Sequence, residues 1–110
     1  MPVRVSIAHS GGRRQHVVTV TGEFDMAIAG IVRQRLGAHL DADEVILDLS
    51  HVTFIDSTGL GVIAQANRVL NSGEVKRLRV IGEQPRVRAV FEAAGLAELL
   101  EPEGRREPGG

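Results

Sequence analysis

The stretch Leu47-Asp48-Leu49-Ser50-His51-Val52-Thr53-Phe54-Ile55-Asp56-Ser57-Thr58-Gly59-Leu60-Gly61-Val62 decides how the chain is read. Its left end belongs to Val45-Ile46-Leu47-Asp48-Leu49, a nearly continuous apolar run of the kind expected for a strand covered on both faces. Ser50 to Asp56 reads as a connector. Leu60, Ile63, Ala64, Asn67 and Leu70 then follow at helical spacing, and Asn71-Ser72-Gly73 is a stop signal. Between strand and helix stand Asp56, Ser57 and Thr58. All three are good N-cap residues, because their side-chain oxygens accept the orphan N–H groups of a helix's first turn.

Working outward, the same alternation of strand and helix recurs. Val3, Val5 and Ile7 alternate with Arg4, Ser6 and Ala8, a half-buried strand, and Val17-Val18-Thr19-Val20-Thr21 is a β-branched second strand. Ser10-Gly11-Gly12 between them predicts an antiparallel hairpin. Gly22-Glu23-Phe24-Asp25 breaks the pattern. Ile28, Val32, Leu36 and Leu40, with Ile31 beside them, form one stripe of a helix over about 26–40, with Asp25 placed to cap it. Leu78-Arg79-Val80-Ile81 is a further strand. Pro85 opens a last helix with Val87, Val90, Phe91 and Ala94 as its apolar face and Gly95 past its end. Leu96, Leu99 and Leu100 are a final apolar patch, strand or helix. The order β-β-α-β-α-β-α predicts an α/β fold, a small mixed β-sheet packed against helices, in one domain over residues 1–100. Residues 101–110, Glu-Pro-Glu-Gly-Arg-Arg-Glu-Pro-Gly-Gly, have almost nothing to bury and are expected to form a disordered tail.

Composition removes several classes of function. Thirteen basic and fourteen acidic residues among 110 give a net charge of -1, so there is no overall positive field to hold nucleic acid or an anionic membrane. Without cysteine there is no disulfide framework, Cys-rich metal site or cysteine nucleophile. The opening Met1-Pro2-Val3-Arg4 has no signal-peptide core and no apolar run approaches the ~20 residues that span a bilayer, which sets the expectation of a cytoplasmic domain. None of the histidines His9, His16, His39 and His51 falls in a Gly-x-Ser-x-Gly elbow or at metal-ligand spacing on a helix. His16, His39 and His51 read as surface residues. No cofactor, metal or catalytic residue is expected. Arg77, Arg79, Arg86 and Arg88 read as a solvated face interspersed with Glu74 and Glu83, the alternative being a patch for an acidic partner.

At the start of the second helix two readings stay open. One is a capped helix with Gly59 and Gly61 for close packing. The other is a modified or reactive hydroxyl, because free N–H groups and the positive dipole end tolerate an anion there. Asp25 likewise either caps its helix or faces a partner.

Three segments together resemble the STAS domain family, and within it the stand-alone anti-sigma factor antagonists of bacteria. They are Thr21-Gly22-Glu23-Phe24-Asp25, the opening stretch from Leu47 to Val62, and Val90-Phe91-Glu92-Ala93-Ala94-Gly95-Leu96. The resemblance covers roughly residues 3 to 100. Phe24 stands where the family usually has an aliphatic residue. The resemblance implies an unphosphorylated protein that binds an anti-sigma factor with serine kinase activity and so frees a sigma factor. It also implies phosphorylation at Ser57, with Thr58 the second hydroxyl, and a serine phosphatase that reverses it. Glu23, Asp25, Asp56, Ser57, Thr58, Gly59, Leu60 and Gly61 are then the expected partner-binding set. A soluble STAS subunit of a transporter or larger signalling assembly is the alternative, and a hydrolase using Ser57 is a third reading.

Overall fold

The computed structural model describes residues 2–38, 42–73, 75 and 77–101. β1 (Val3–Ser10) and β2 (Arg13–Phe24) form the expected hairpin, in unbroken antiparallel register from Val3 opposite Val20 to Ser10 opposite Arg13. Its two-residue turn is Gly11-Gly12 with φ of 59° and 79°, the positive values that a tight hairpin turn demands at both positions. α1 (Met26–Gly37), β3 (Glu44–Ile55), α2 (Ser57–Leu70), β4 (Leu78–Ile81) and α3 (Pro85–Ala93) follow, and a 3-10 turn at Ala97–Leu99 resolves the last apolar patch as helical. The sheet order is β1-β2-β3-β4, with β2, β3 and β4 parallel. Both parallel crossovers step in the same direction, so right-handedness puts α1 and α2 on one face of the sheet, where they pack against each other. Val20 and Phe24 of β2, Leu49 and Ile55 of β3, Val32 of α1 and Ile63 of α2 meet in the core between them.

The central strands are longer than the sequence pattern implied. β2 runs through Gly22-Glu23-Phe24, read as a break, and β3 runs through Ser50–Ile55, read as a connector. The reason is a pair of bulges. Thr19 is opposite Asp48 but Thr21 is opposite His51, and Gly22 is opposite Val52 but Glu23 is opposite Phe54, so β3 carries one extra residue at each place. Each extra residue switches the face to which the following side chains point. The buried positions of β3 accordingly run Leu47, Leu49, Val52, Ile55, two residues apart and then three, which hides the strand from a search for strict alternation. At the first bulge Asp48 Oδ1 accepts the Ser50 N–H at 2.9 Å, satisfying a donor that the ladder leaves out.

Other expectations are corrected by the same sheet. His16, read as a surface residue, is buried, because β2 is an interior strand and His16 lies between Ile7 and Val45. His51 is exposed as expected, but on β3 rather than in a connector. Ile7 is 60% exposed although it shares a face with Val3 and Val5, since β1 is an edge strand with a neighbour on one side only. α1 ends at Gly37, and His39 and Leu40 lie outside the described residues. Ala94 is exposed at the C-cap of α3. Gly95 there has φ 74°, with Gly95 N–H donating to Glu92 O at 3.0 Å and Leu96 N–H to Phe91 O at 2.8 Å, a full Schellman ending.

The arginines are not a solvated face. Arg88 Nη1 lies 2.8 Å from the fully buried Glu83 carboxylate, and Arg77 Nη2 donates to Ala42 O at 2.8 Å. Arg79 joins Glu101 at 2.7 Å and Glu44 at 3.8 Å, and Glu44 also accepts from Gln15 Nε2 at 2.6 Å. Arg79 meets its acids within the molecule because its register opposite Ile46 puts it on the same face of the sheet as Glu44. Arg86 is exposed, and Glu74 lies outside the described residues. Glu101, the first residue assigned to the tail, is held by that ion pair and by its N–H to Val80 O at 3.0 Å. The rest of that segment, 102–110, is outside the described residues.

Candidate functional site

Parallel pairing brings the carboxyl ends of β2 and β3 together, since Phe24 is opposite Ile55. The next residue on each strand is an aspartate, and the next again starts a helix. Two helix N-termini therefore sit side by side at one rim of the sheet, joined by Asp56 N–H donating to Phe24 O at 3.3 Å. Asp25 caps α1, its Oδ1 accepting from Ala27 N–H at 3.0 Å. Asp56 caps α2, its Oδ1 accepting from Thr58 N–H at 3.0 Å, Gly59 N–H at 3.1 Å and the Thr58 hydroxyl at 2.6 Å. Both aspartates thus have the capping role, with extended backbone at φ -112° and -109°.

The Asp56 carboxyl is held below the usual aspartate range. The Thr58 hydroxyl is the main cause, followed by the Gly59 N–H; desolvation opposes them, and the Thr58 and Met26 N–H groups add less. Met26 opens the neighbouring helix, so the Asp56 carboxylate lies close to both N-termini. The charge it carries meets the positive ends of two helix dipoles.

Ser57 is the first residue of α2 and is exposed. Among the described residues its hydroxyl has no hydrogen-bond partner. Thr58 is half-buried and committed to Asp56. Glu23 and Gly61 are exposed and Asp25 is half-buried, so these three reach the surface as Ser57 does. Gly59 and Leu60 do not; both are buried, because the first turn of α2 lies on the end of β2 and β3. A Cβ on Gly59 would stand 2.8 Å from Phe24 O, whereas one on Gly61 would meet nothing within 4 Å. Close packing within the molecule explains the first glycine and not the second. Among the described residues no group of three His, Asp or Glu side chains could hold a metal ion.

Two further residues of this rim were not singled out in the sequence. Met26 is 75% exposed and Phe54 is 49% exposed. Met26 falls outside the Ile28-Val32-Leu36 stripe and was legible on that ground. Phe54 was not, because only the second bulge turns it away from the core between Val52 and Ile55.

The STAS domain model matches residues 7–106, nearly the whole of the chain. This chain belongs to the STAS domain family. An anti-sigma-B factor antagonist of Listeria monocytogenes is 33% identical over 86 residues, which is 76% of this chain and 75% of that protein. The crystal structure of an anti-sigma factor antagonist from Mycobacterium paratuberculosis is 28% identical, with a TM-score of 0.72 over 89% of this chain and 82% of that one. The anti-sigma factor antagonist SpoIIAA in its unphosphorylated form shares the STAS fold at 21% identity, with a TM-score of 0.71 over 93% of this chain and 90% of that one. The four-stranded mixed sheet with three helices is thus the STAS architecture. Among the described residues no helix of this STAS domain is long and apolar enough to cross a membrane.

Proposed function

We propose that the chain is an anti-sigma factor antagonist switched by phosphorylation of Ser57. The unphosphorylated form binds an anti-sigma factor that is also a serine kinase and displaces the sigma factor from it. The observation that carries this reading is the exposed, unbonded Ser57 hydroxyl at the mouth of α2, on a rim that also exposes Met26, Phe54 and Gly61. A surface of this composition suits a protein partner, with apolar anchors beside a polar centre. A serine nucleophile needs a base within hydrogen-bond reach, and Ser57 has none among the described residues.

Phosphate at Ser57 brings about -1.5 to -2 charges beside Asp56. Locally the helix N-terminus tolerates them, so the fold survives. Across an interface they must be desolvated, which costs more than a typical complex has to spare. The switch therefore acts by blocking the surface and a serine phosphatase restores it. Glu23, Asp25, Asp56, Ser57, Thr58 and Gly61 present the surface, with Gly59 and Leu60 beneath it fixing the helix. The test is capture from the source bacterium with the unmodified chain, identification of the bound ATPase, and mass spectrometry of the chain after incubation with that protein and ATP. Recovery of no anti-sigma kinase, or a phosphate elsewhere with Ser57 clean, would refute the reading.

A further inference from the structure

Two hydroxyls stand next to each other at the start of α2, and a kinase docking on this rim meets both. They differ in what holds them. The Thr58 hydroxyl donates to Asp56 Oδ1 at 2.6 Å, within the short range of a charge-assisted O–H···O⁻ bond, and Thr58 is half-buried. The accepting oxygen is itself fixed, since it also takes the N–H groups of Thr58 at 3.0 Å and Gly59 at 3.1 Å. Ser57 is exposed and carries no such bond among the described residues.

Phosphoryl transfer forms a bond from the hydroxyl oxygen to the γ-phosphorus of a nucleoside triphosphate. The bond from that phosphorus to the β–γ bridging oxygen breaks, and the nucleoside diphosphate leaves with the electron pair. The hydroxyl proton passes to a base on the kinase. Thr58 reaches that arrangement only by breaking its bond to Asp56 and rotating its hydroxyl off the helix end. Asp56 does not replace the kinase base, because the donors around it favour its ionised form. We infer that Asp56 is a positioning residue for acceptor choice: by holding the Thr58 hydroxyl it withholds Thr58 from phosphorylation and leaves Ser57 as the acceptor. The inference rests on the phosphorylation switch proposed above.

The experiment compares the full chain with Ser57→Ala, Asp56→Asn and the double variant, each incubated with ATP and the kinase captured by the wild-type chain. Asparagine keeps the cap but removes the charge that strengthens the bond to Thr58. The expected result is phosphate on Ser57 in the wild type, almost none in Ser57→Ala, and Thr58 phosphate about fivefold or more higher in the double variant than in Ser57→Ala. A kinase-independent arm is NMR of the labelled wild-type chain, in which the Thr58 hydroxyl proton exchanges slowly enough to be seen and is lost in Asp56→Asn. Thr58 phosphate in Ser57→Ala, or no protected Thr58 hydroxyl proton in the wild type, overturns the inference alone. So does a ratio of Thr58 to Ser57 phosphate in Asp56→Asn equal to that of the wild type, since the ratio does not depend on how tightly the kinase docks. A wild-type chain that gains no phosphate overturns the switch itself, and the inference with it.

Discussion

Replacing Gly59 by alanine tests the packing that sets the site in place. The added Cβ would lie 2.8 Å from Phe24 O, 2.9 Å from Phe24 Cδ1 and 2.9 Å from Ile55 Cγ1. None of these atoms can yield cheaply. Phe24 is fully buried, Ile55 is 2% exposed, and Phe24 O already accepts the Asp56 N–H. Overpacking of a filled core costs about 1–3 kcal/mol, and three simultaneous contacts against fixed neighbours place this one near the upper end. Alanine returns about 1 kcal/mol through its better helix propensity. The expected net loss is about 2 kcal/mol. Gly61, two residues on in the same helix, is the control, because its added Cβ meets nothing within 4 Å. Gly61→Ala should gain about 1 kcal/mol from propensity alone. At about 4 °C per kcal/mol, Gly59→Ala should melt about 8 °C below the wild type and Gly61→Ala about 4 °C above it. Thermal melts followed by circular dichroism, with urea titrations on the same samples, measure both. Equal stability of the two variants would refute the argument that α2 rests directly on the end of β2.

Four more outcomes are expected. Ser57→Ala should keep its stability to within about 0.5 kcal/mol, because the cap oxygen belongs to Asp56, and should still bind the anti-sigma factor. Ser57→Asp should melt no lower, since an acid in the first turn is favoured by about 0.3–1 kcal/mol, yet lose about 10- to 100-fold in affinity by calorimetry. A lower melting temperature with unchanged affinity would mean that the charge melts the helix instead. Asp56 has a depressed pKa when folded, so its stabilising contribution is present above the ordinary aspartate value and is lost as pH falls through the lower folded value. Melting temperature should therefore fall with acidification below the ordinary aspartate range more steeply for the wild type than for Asp56→Asn, and parallel slopes would contradict this. Arg88→Ala should destabilise by about 3 kcal/mol in urea titration, because it removes a partner from the buried Glu83 carboxylate. A loss below about 1 kcal/mol would show that the pair behaves like one at the surface.

The sequence by itself determined the order of elements, the Gly-Gly hairpin, where both long helices start and the glycine past the end of α3. Each is a local event, written within a few residues by spacing, cap chemistry or a glycine that tolerates positive φ. It also marked Asp56, Ser57 and Thr58 as the place where chemistry could sit, and left open which oxygen caps and which hydroxyl is free. That choice is tertiary. Asp56 stands at the cap because the chain arrives there from a strand whose partner supplies Phe24 O to its N–H. The reach of β3 through Ile55 was hidden as well, since two bulges replace alternation by steps of three and only pairing with β2 reveals them. Burial of His16 and the internal ion pairs of Arg79 and Arg88 were hidden for a related reason. Whether a polar side chain faces water depends on which strand or helix lies beside it, and those neighbours are distant in sequence. Gly59 and Gly61 look alike in the chain, and only the end of β2 beneath one of them makes the first indispensable.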